Sequence, residues 1–138
     1  MKKSVNKSKK KILLLIGNSL GLDVLNFLNK KKYLDIETFS SVNNLVNNKK
    51  IKYIKKKNHF FKSLNKKKYH FLIIVYWPWL VPKNLFDKFE NSINFHPAFL
   101  PHGRGWYPHV HAILKKIKWG VTLHKIFPGI DNGDIWCQ

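Results

Sequence analysis

The chain has little of several things, and each shortage closes off a class of function. One cysteine, Cys137, among 138 residues excludes an intramolecular disulfide framework, so a reducing compartment is the simpler setting. Long apolar runs are missing. Residues 12–16 and 71–81 fall short of the ~20 residues that a membrane-crossing helix needs, and the second run contains Pro78. The lysine-rich start followed by Ile12–Ile16 has the outline of a secretion signal, but Asn18 interrupts it and no small-residue cleavage site follows. The expectation is a basic, disordered tail over residues 1–10 and a soluble, cytoplasmic domain over 11–138, with no membrane partner. Glycine is short where a dinucleotide site would need it, because Gly17-Asn18-Ser19-Leu20-Gly21 lacks the full G-x-G-x-x-G spacing.

Carboxylates are scarce as well: seven Asp and Glu face 26 Lys and Arg, for a net charge of +19. That imbalance favours an anionic ligand, tRNA included. Arg104 is the one arginine, however, and phosphate recognition usually enlists arginine's two-pronged fork beside lysine. Lysine, asparagine and isoleucine share A/T-rich codons, so a nucleotide bias accounts for much of the charge without any polyanionic partner.

What is present is an alternation of strand and helix patterns in a length that suits one domain with one core. Strands are expected over residues 11–17, 34–39 and 70–76, with further strands ending at His96 and His124. Helices are expected over 20–30, 59–65 and 110–116, and a short one begins at Pro82. Leu20, Val24, Phe27 and Leu28 share one face of the first helix. Residues 47–58 are lysine-rich and are expected to lie at the periphery. The alternation implies an α/β, doubly wound, mostly parallel sheet.

Within that plan, Ser92-Ile93-Asn94-Phe95-His96-Pro97 ends a strand in two polar side chains and stops it with proline. Residues two apart on a strand project from one face, so Asn94 and His96 stand together at a carboxyl edge, where open α/β sheets bind ligands. Two explanations fit: a strand end with two satisfied polar groups, or an amide that steadies an oxyanion beside an imidazole that carries a proton.

A carboxylate arrives later, in Gly129-Ile130-Asp131-Asn132-Gly133-Asp134-Ile135. Taken together, Asn94-x-His96-Pro97-x-x-Leu100-Pro101, Arg104-Gly105, Gly120-Val121-Thr122-Leu123-His124 and Asp131-x-Gly133-x-Ile135 resemble the catalytic domain of the folate-dependent formyltransferases. That family includes the glycinamide ribonucleotide, methionyl-tRNA and sugar N-formyltransferases. The close resemblance runs from about Phe71 onward. It implies a Rossmann-like fold and transfer of a formyl group from 10-formyltetrahydrofolate to a primary amine, with no metal.

The resemblance makes Asn94, His96 and Asp131 the catalytic triad: oxyanion donor, proton carrier, and holder of the imidazolium or of an ordered water. It also implies that Tyr76-Trp77-Pro78-Trp79-Leu80-Val81, together with Asp131, borders the folate. Flat aromatic walls suit a flat heterocycle, although Trp77 and Trp79 serve core or dimer packing equally well. Arg104, Gly105, Trp106 and Tyr107 would shape the acceptor side. Arg104 meets either a phosphate or a neighbouring carbonyl or carboxylate, while Trp106 and Tyr107 offer stacking surface. His124 is placed with the acceptor-side residues in a secondary role, bracing the Asp131 loop rather than standing beside the formyl carbon.

The chain is short for this family, so self-association into a homodimer is one expected way to complete the core or pocket. The acceptor favoured here is a small-molecule amine, an amino sugar linked to a nucleotide. Methionyl-tRNA and glycinamide ribonucleotide are the alternatives. Two rivals come from other classes. His96, His102, His109, His111 and His124 offer a zinc site, and the lysines offer a catalytically silent RNA-binding protein on the same fold.

Overall fold

The computed structural model describes residues 8–47, 50–64 and 66–138, so residues 1–7 of the tail expected over 1–10 lie outside the described residues, while Lys10 already belongs to the first strand. Its elements in chain order are β1 (Lys10–Ile16), α1 (Leu20–Asn29), β2 (Leu34–Ser40), a 3₁₀ turn (Asn43–Asn47), β3 (Ile51–Tyr53) and α2 (Lys57–Leu64). There follow β4 (Phe71–Val75), α3 (Lys83–Phe86), β5 (Asn91–His96), α4 (Pro108–Lys115), β6 (Thr122–Lys125) and β7 (Ile135–Cys137). The seven strands form one sheet in the order β3-β2-β1-β4-β5-β6-β7. Pairings from β3 through β5 are parallel, and β6 and β7 are antiparallel to their neighbours.

The central strands read as continuous apolar runs because both faces of the sheet are covered. On one face Leu13, Leu15, Leu72 and Ile74 pack with Phe60, Phe61 and Leu64 of α2 and with Leu85 and Phe86 of α3. On the other, Ile12, Leu14, Ile16, Ile73 and Val75 pack with Leu25 of α1 and with Ile51. Each such side chain fully removed from water contributes about 1.5–3 kcal/mol, which makes β1 and β4 the thermodynamic centre of the fold.

Two local expectations are corrected. Helix α1 turns Gly21 and Leu25 inward, with Val24 and Leu28 alongside, whereas Leu20 and Phe27 are exposed. A Cβ at position 21 would meet Ile16 side-chain atoms at 2.4 Å, so glycine lets the helix sit down on β1 at that point. The segment around residues 51–54 lies at the sheet's edge, yet it contributes to the core: Ile51 and Ile54 are buried on opposite faces while the lysines nearby face water. After α4 the sheet changes direction. Strand β6 runs antiparallel to β5, and β7 adds an edge strand that its three exposed residues gave no pattern to reveal.

The strand order reverses between β1, which continues to β2 and β3, and β4, which continues to β5. The turn after β1 is held tightly against that after β4. Gly17 N–H donates to the Val75 carbonyl at 2.9 Å, and a Cβ at position 17 would sit 1.7 Å from the Tyr76 carbonyl oxygen. On the β2 side, Glu37 accepts from Lys52 and Lys67 at 2.7 Å each and from the Tyr69 hydroxyl. Burial pushes this carboxyl up, but those hydrogen bonds outweigh it and hold it at about 2.

Candidate active site

Asn94 and His96 close β5 at the carboxyl edge, beneath a cavity of about 620 Å³. His96 is buried and Asn94 half-buried. Asp131 reaches them from the loop between β6 and β7, half-buried and with φ 46°. A left-handed backbone is uncommon for a residue with a side chain, and Tyr76 and Tyr107 on the same cavity share it. Such residues cost on the order of 1–3 kcal/mol and gather where geometry is held for a purpose.

The Asp131 carboxylate is the hub. Its Oδ2 accepts from the Gly105 N–H at 2.9 Å and lies 3.3 Å from His96 Nδ1; its Oδ1 lies 3.5 Å from His124 Nε2 and 3.4 Å from Asn94 Nδ2. Burial pushes the Asp131 carboxyl up, yet hydrogen bonding to His124 and to the Gly105 amide, with the charges of His96 and His124, holds it below the ordinary carboxylate range. It therefore stands in the cavity as an anion.

The partners of the two imidazoles assign their protons. His96 Nε2 is 2.8 Å from the Gly103 carbonyl, and Nδ1 faces Asp131, so both ring nitrogens meet acceptors and both are satisfied only when each carries hydrogen. His124 Nδ1 is 2.9 Å from the Lys125 carbonyl, and its Nε2 lies between Asn94 Nδ2 at 3.3 Å and Asp131 Oδ1 at 3.5 Å. Around them, buried Thr122 ties the loop after β5 in place, donating to the Ala98 carbonyl at 2.7 Å and accepting from Leu100 N–H at 3.1 Å.

Two aromatic walls flank this centre. Trp77 and Trp79 meet edge to face at 4.9 Å on the β4 side, with Leu80 and Val81 beside them, and Trp77 also contacts Phe60 of the core. Burial pushes the Tyr76 hydroxyl up, keeping it a neutral donor at the cavity wall. Gly105, Trp106 and Tyr107 line the opposite side.

The family model described as "Formyl transferase" matches residues 4–138. This chain belongs to the formyl transferase family. Over 46 residues it is 46% identical to a dTDP-4-amino-4,6-dideoxyglucose formyltransferase of Mycobacterium bovis, an alignment covering 33% of this chain and 20% of that protein. Over 84 residues it is 36% identical to the methionyl-tRNA formyltransferase of Coprothermobacter proteolyticus, covering 59% and 28%. A solved 4-N formyltransferase from Francisella tularensis superposes with a TM-score of 0.79 at 30% identity, covering 91% of this chain and 54% of that one. This family member therefore spans about half the length of that structure and smaller shares of the two curated relatives.

Of the residues singled out from sequence, Asn94, His96, Asp131, Tyr76, Trp77, Trp79, Leu80, Val81, Gly105, Trp106, Tyr107 and His124 all line the one cavity. Arg104 does not. It is exposed on the loop between Gly103 and Gly105 and forms no salt bridge among the described residues. His124 is more central than expected. Because β6 is antiparallel, His124 stands directly across from Asn94 and touches both Asn94 and Asp131. Trp119, Ile126, Phe127 and Ile130 also line the cavity and were not anticipated, and His109, considered only as a metal ligand, lines it too. The apolar residues of Ile126-Phe127-Pro128-Gly129-Ile130, in a loop too short to be a core element, were the available signal. Among the described residues no group of three His, Cys, Asp or Glu is arranged to hold a metal ion, and His102 and His111 lie away from the cavity lining. No helix of the described residues is long and apolar enough to cross a membrane.

Proposed function

We propose that this family member transfers a formyl group from 10-formyltetrahydrofolate to a primary amine, and that the amine belongs to an amino sugar linked to a nucleotide. The observation that carries the proposal is the convergence of Asn94, His96 and Asp131 within hydrogen-bonding reach in one cavity. The residues fit the donor: Trp77, Trp79, Leu80 and Val81 provide flat and apolar walls for a heterocycle beside the polar centre. The donor supplies a formyl carbon activated by attachment to nitrogen.

Formyl transfer makes one C–N bond and breaks another, so negative charge develops on the formyl oxygen and the attacking amine loses a proton. Asn94 suits the first demand. Its Nδ2 contacts, at 3.3 and 3.4 Å, are long and exchange readily for a bond to an anionic oxygen. His96, held at both nitrogens, relays a proton, while Asp131 orients that imidazole. His124 aligns the Asn94 amide from across the strand pair. The nucleotide-linked sugar is supported by the likeness to the Mycobacterium bovis protein, whose name carries a dTDP-linked amino sugar. The likeness to the methionyl-tRNA enzyme, together with the charge of +19, supports aminoacyl-tRNA as the second acceptor to try.

Purified protein incubated with 10-formyltetrahydrofolate and a panel of nucleotide-linked amino sugars, methionyl-tRNA and glycinamide ribonucleotide should release tetrahydrofolate with one acceptor class, with the formamide product identified by mass. Asn94→Ala, His96→Ala and Asp131→Ala should each lower turnover by more than about a hundredfold. Full turnover in all three variants rejects the proposal.

A further inference from the structure

Beyond the polar centre, four rings run in series along the far wall of the cavity. Trp106 and Tyr107 have centroids 6.1 Å apart, Tyr107 and His109 6.3 Å, and His109 and Trp119 6.5 Å. They come from three places: the loop after β5, the first turn of α4, and the approach to β6. Tyr107 is locked at φ 54° just before Pro108 starts α4, which fixes where the middle of the series points. Trp106, Tyr107 and Trp119 are 66%, 64% and 49% exposed. Single exposed aromatics need no explanation, but a contiguous run opening onto a functional cavity marks a ligand surface.

We infer that Trp106, Tyr107, His109 and Trp119 form a stacking platform for the base of a nucleotide-linked acceptor. The inference rests on the formyl-transfer reading of the Asn94, His96 and Asp131 centre. His109 and Trp119 meet at 80°, so they present the cavity with two nearly perpendicular faces. A flat heterocycle stacked on one ring abuts the other, which suits a base better than a flexible chain. A cation is the usual rival guest for such rings. Here it is disfavoured, because the chain carries +19 and Arg104 stands exposed two residues before Trp106 with no ion pair among the described residues. The same charges favour a guest that pairs a base with phosphates.

Calorimetric titration of the full chain with uridine diphosphate and adenosine diphosphate, against pyrophosphate and ribose 5-phosphate as base-free controls, tests this directly. A nucleoside diphosphate should bind at least about tenfold more tightly than pyrophosphate, and Trp119→Ala should erase most of that gap. Phe27→Ala, an exposed ring on α1, should leave it intact. If Trp119→Ala fails to fold, Trp106→Ala and His109→Ala carry the same comparison on exposed side chains. Equal binding of pyrophosphate and both nucleotides overturns the inference, as does a gap that survives in the Trp106 and Trp119 variants alike. So does finding the platform covered by a second copy, seen as self-association that Trp119→Ala abolishes without changing nucleotide affinity. The titration contains no formyl donor, so Asp131→Asn should lose transfer yet keep the base-dependent gap, separating failure of the platform from failure of the transfer centre.

Discussion

Asp131→Asn keeps the side chain's shape and removes the charge on which the centre turns. At 3.3 Å from His96 Nδ1, a full charge pair is worth about 5 kcal/mol at an effective dielectric near 20. Desolvation of a carboxylate whose side chain is only 15% exposed offsets much of that, leaving about 1.5–3 kcal/mol, as is typical for a charge-assisted hydrogen bond. In rate that is a loss of roughly 10- to 150-fold in kcat/KM, provided the imidazolium matters at the barrier. The carboxyl is held below its ordinary range, so it stays ionised through mildly acidic pH. Its contribution to stability is complete above the unfolded carboxylate value near 4 and fades as pH falls through the lower folded value. The variant should therefore melt lower than wild type at pH 7, with the gap closing below pH ~4. Tetrahydrofolate release measured for wild type, Asp131→Asn, His96→Ala and the double variant gives the coupling between the two residues. A loss under threefold, or two losses that simply multiply, would refute the idea that Asp131 acts through His96.

Glu37→Gln should lower stability at pH 7 by on the order of 2 kcal/mol, after discounting for a side chain 25% exposed, because the carboxyl is held at about 2 by Lys52, Lys67 and Tyr69. A depressed carboxyl stabilises above its unfolded value of about 4.5 and stops doing so as pH falls toward 2, so thermal melts of the two proteins should converge over that window; parallel curves would count against it. Gly17→Ala should cost more than about 2 kcal/mol in urea denaturation, since its Cβ would lie 1.7 Å from a backbone oxygen that no side-chain rotation can move. The relief available is displacement of the Tyr76 turn, so donor affinity should fall alongside stability, and a variant as stable as wild type would show that the turns do not touch.

The sheet's middle was readable because Ile12–Ile16 and Phe71–Val75 are unbroken apolar runs, the mark of strands covered on both faces. The edges were not. Ile51 and Ile54 are three apart among lysines, and only pairing with β2 shows that both point inward. Asn94, His96 and Asp131 stood out through motif chemistry, but the place of His124 depended on the direction of β6, which a four-residue strand does not announce. Strand direction follows from the whole connection over residues 97–121, and no local pattern encodes it. Arg104 attracted notice as the one arginine, but it is exposed and does not line the cavity.

Because Asn94 and His124 are cross-strand partners, their separation is set by the spacing of the sheet itself and not by any loop. The 25 or so residues that join the two strands hold much of the wall that greets an incoming amine, yet they bear no responsibility for that distance. A lineage can thus rewrite its choice of guest in the connecting stretch while the polar pair beneath stays in step, and only a slip of one residue between the strands would part them.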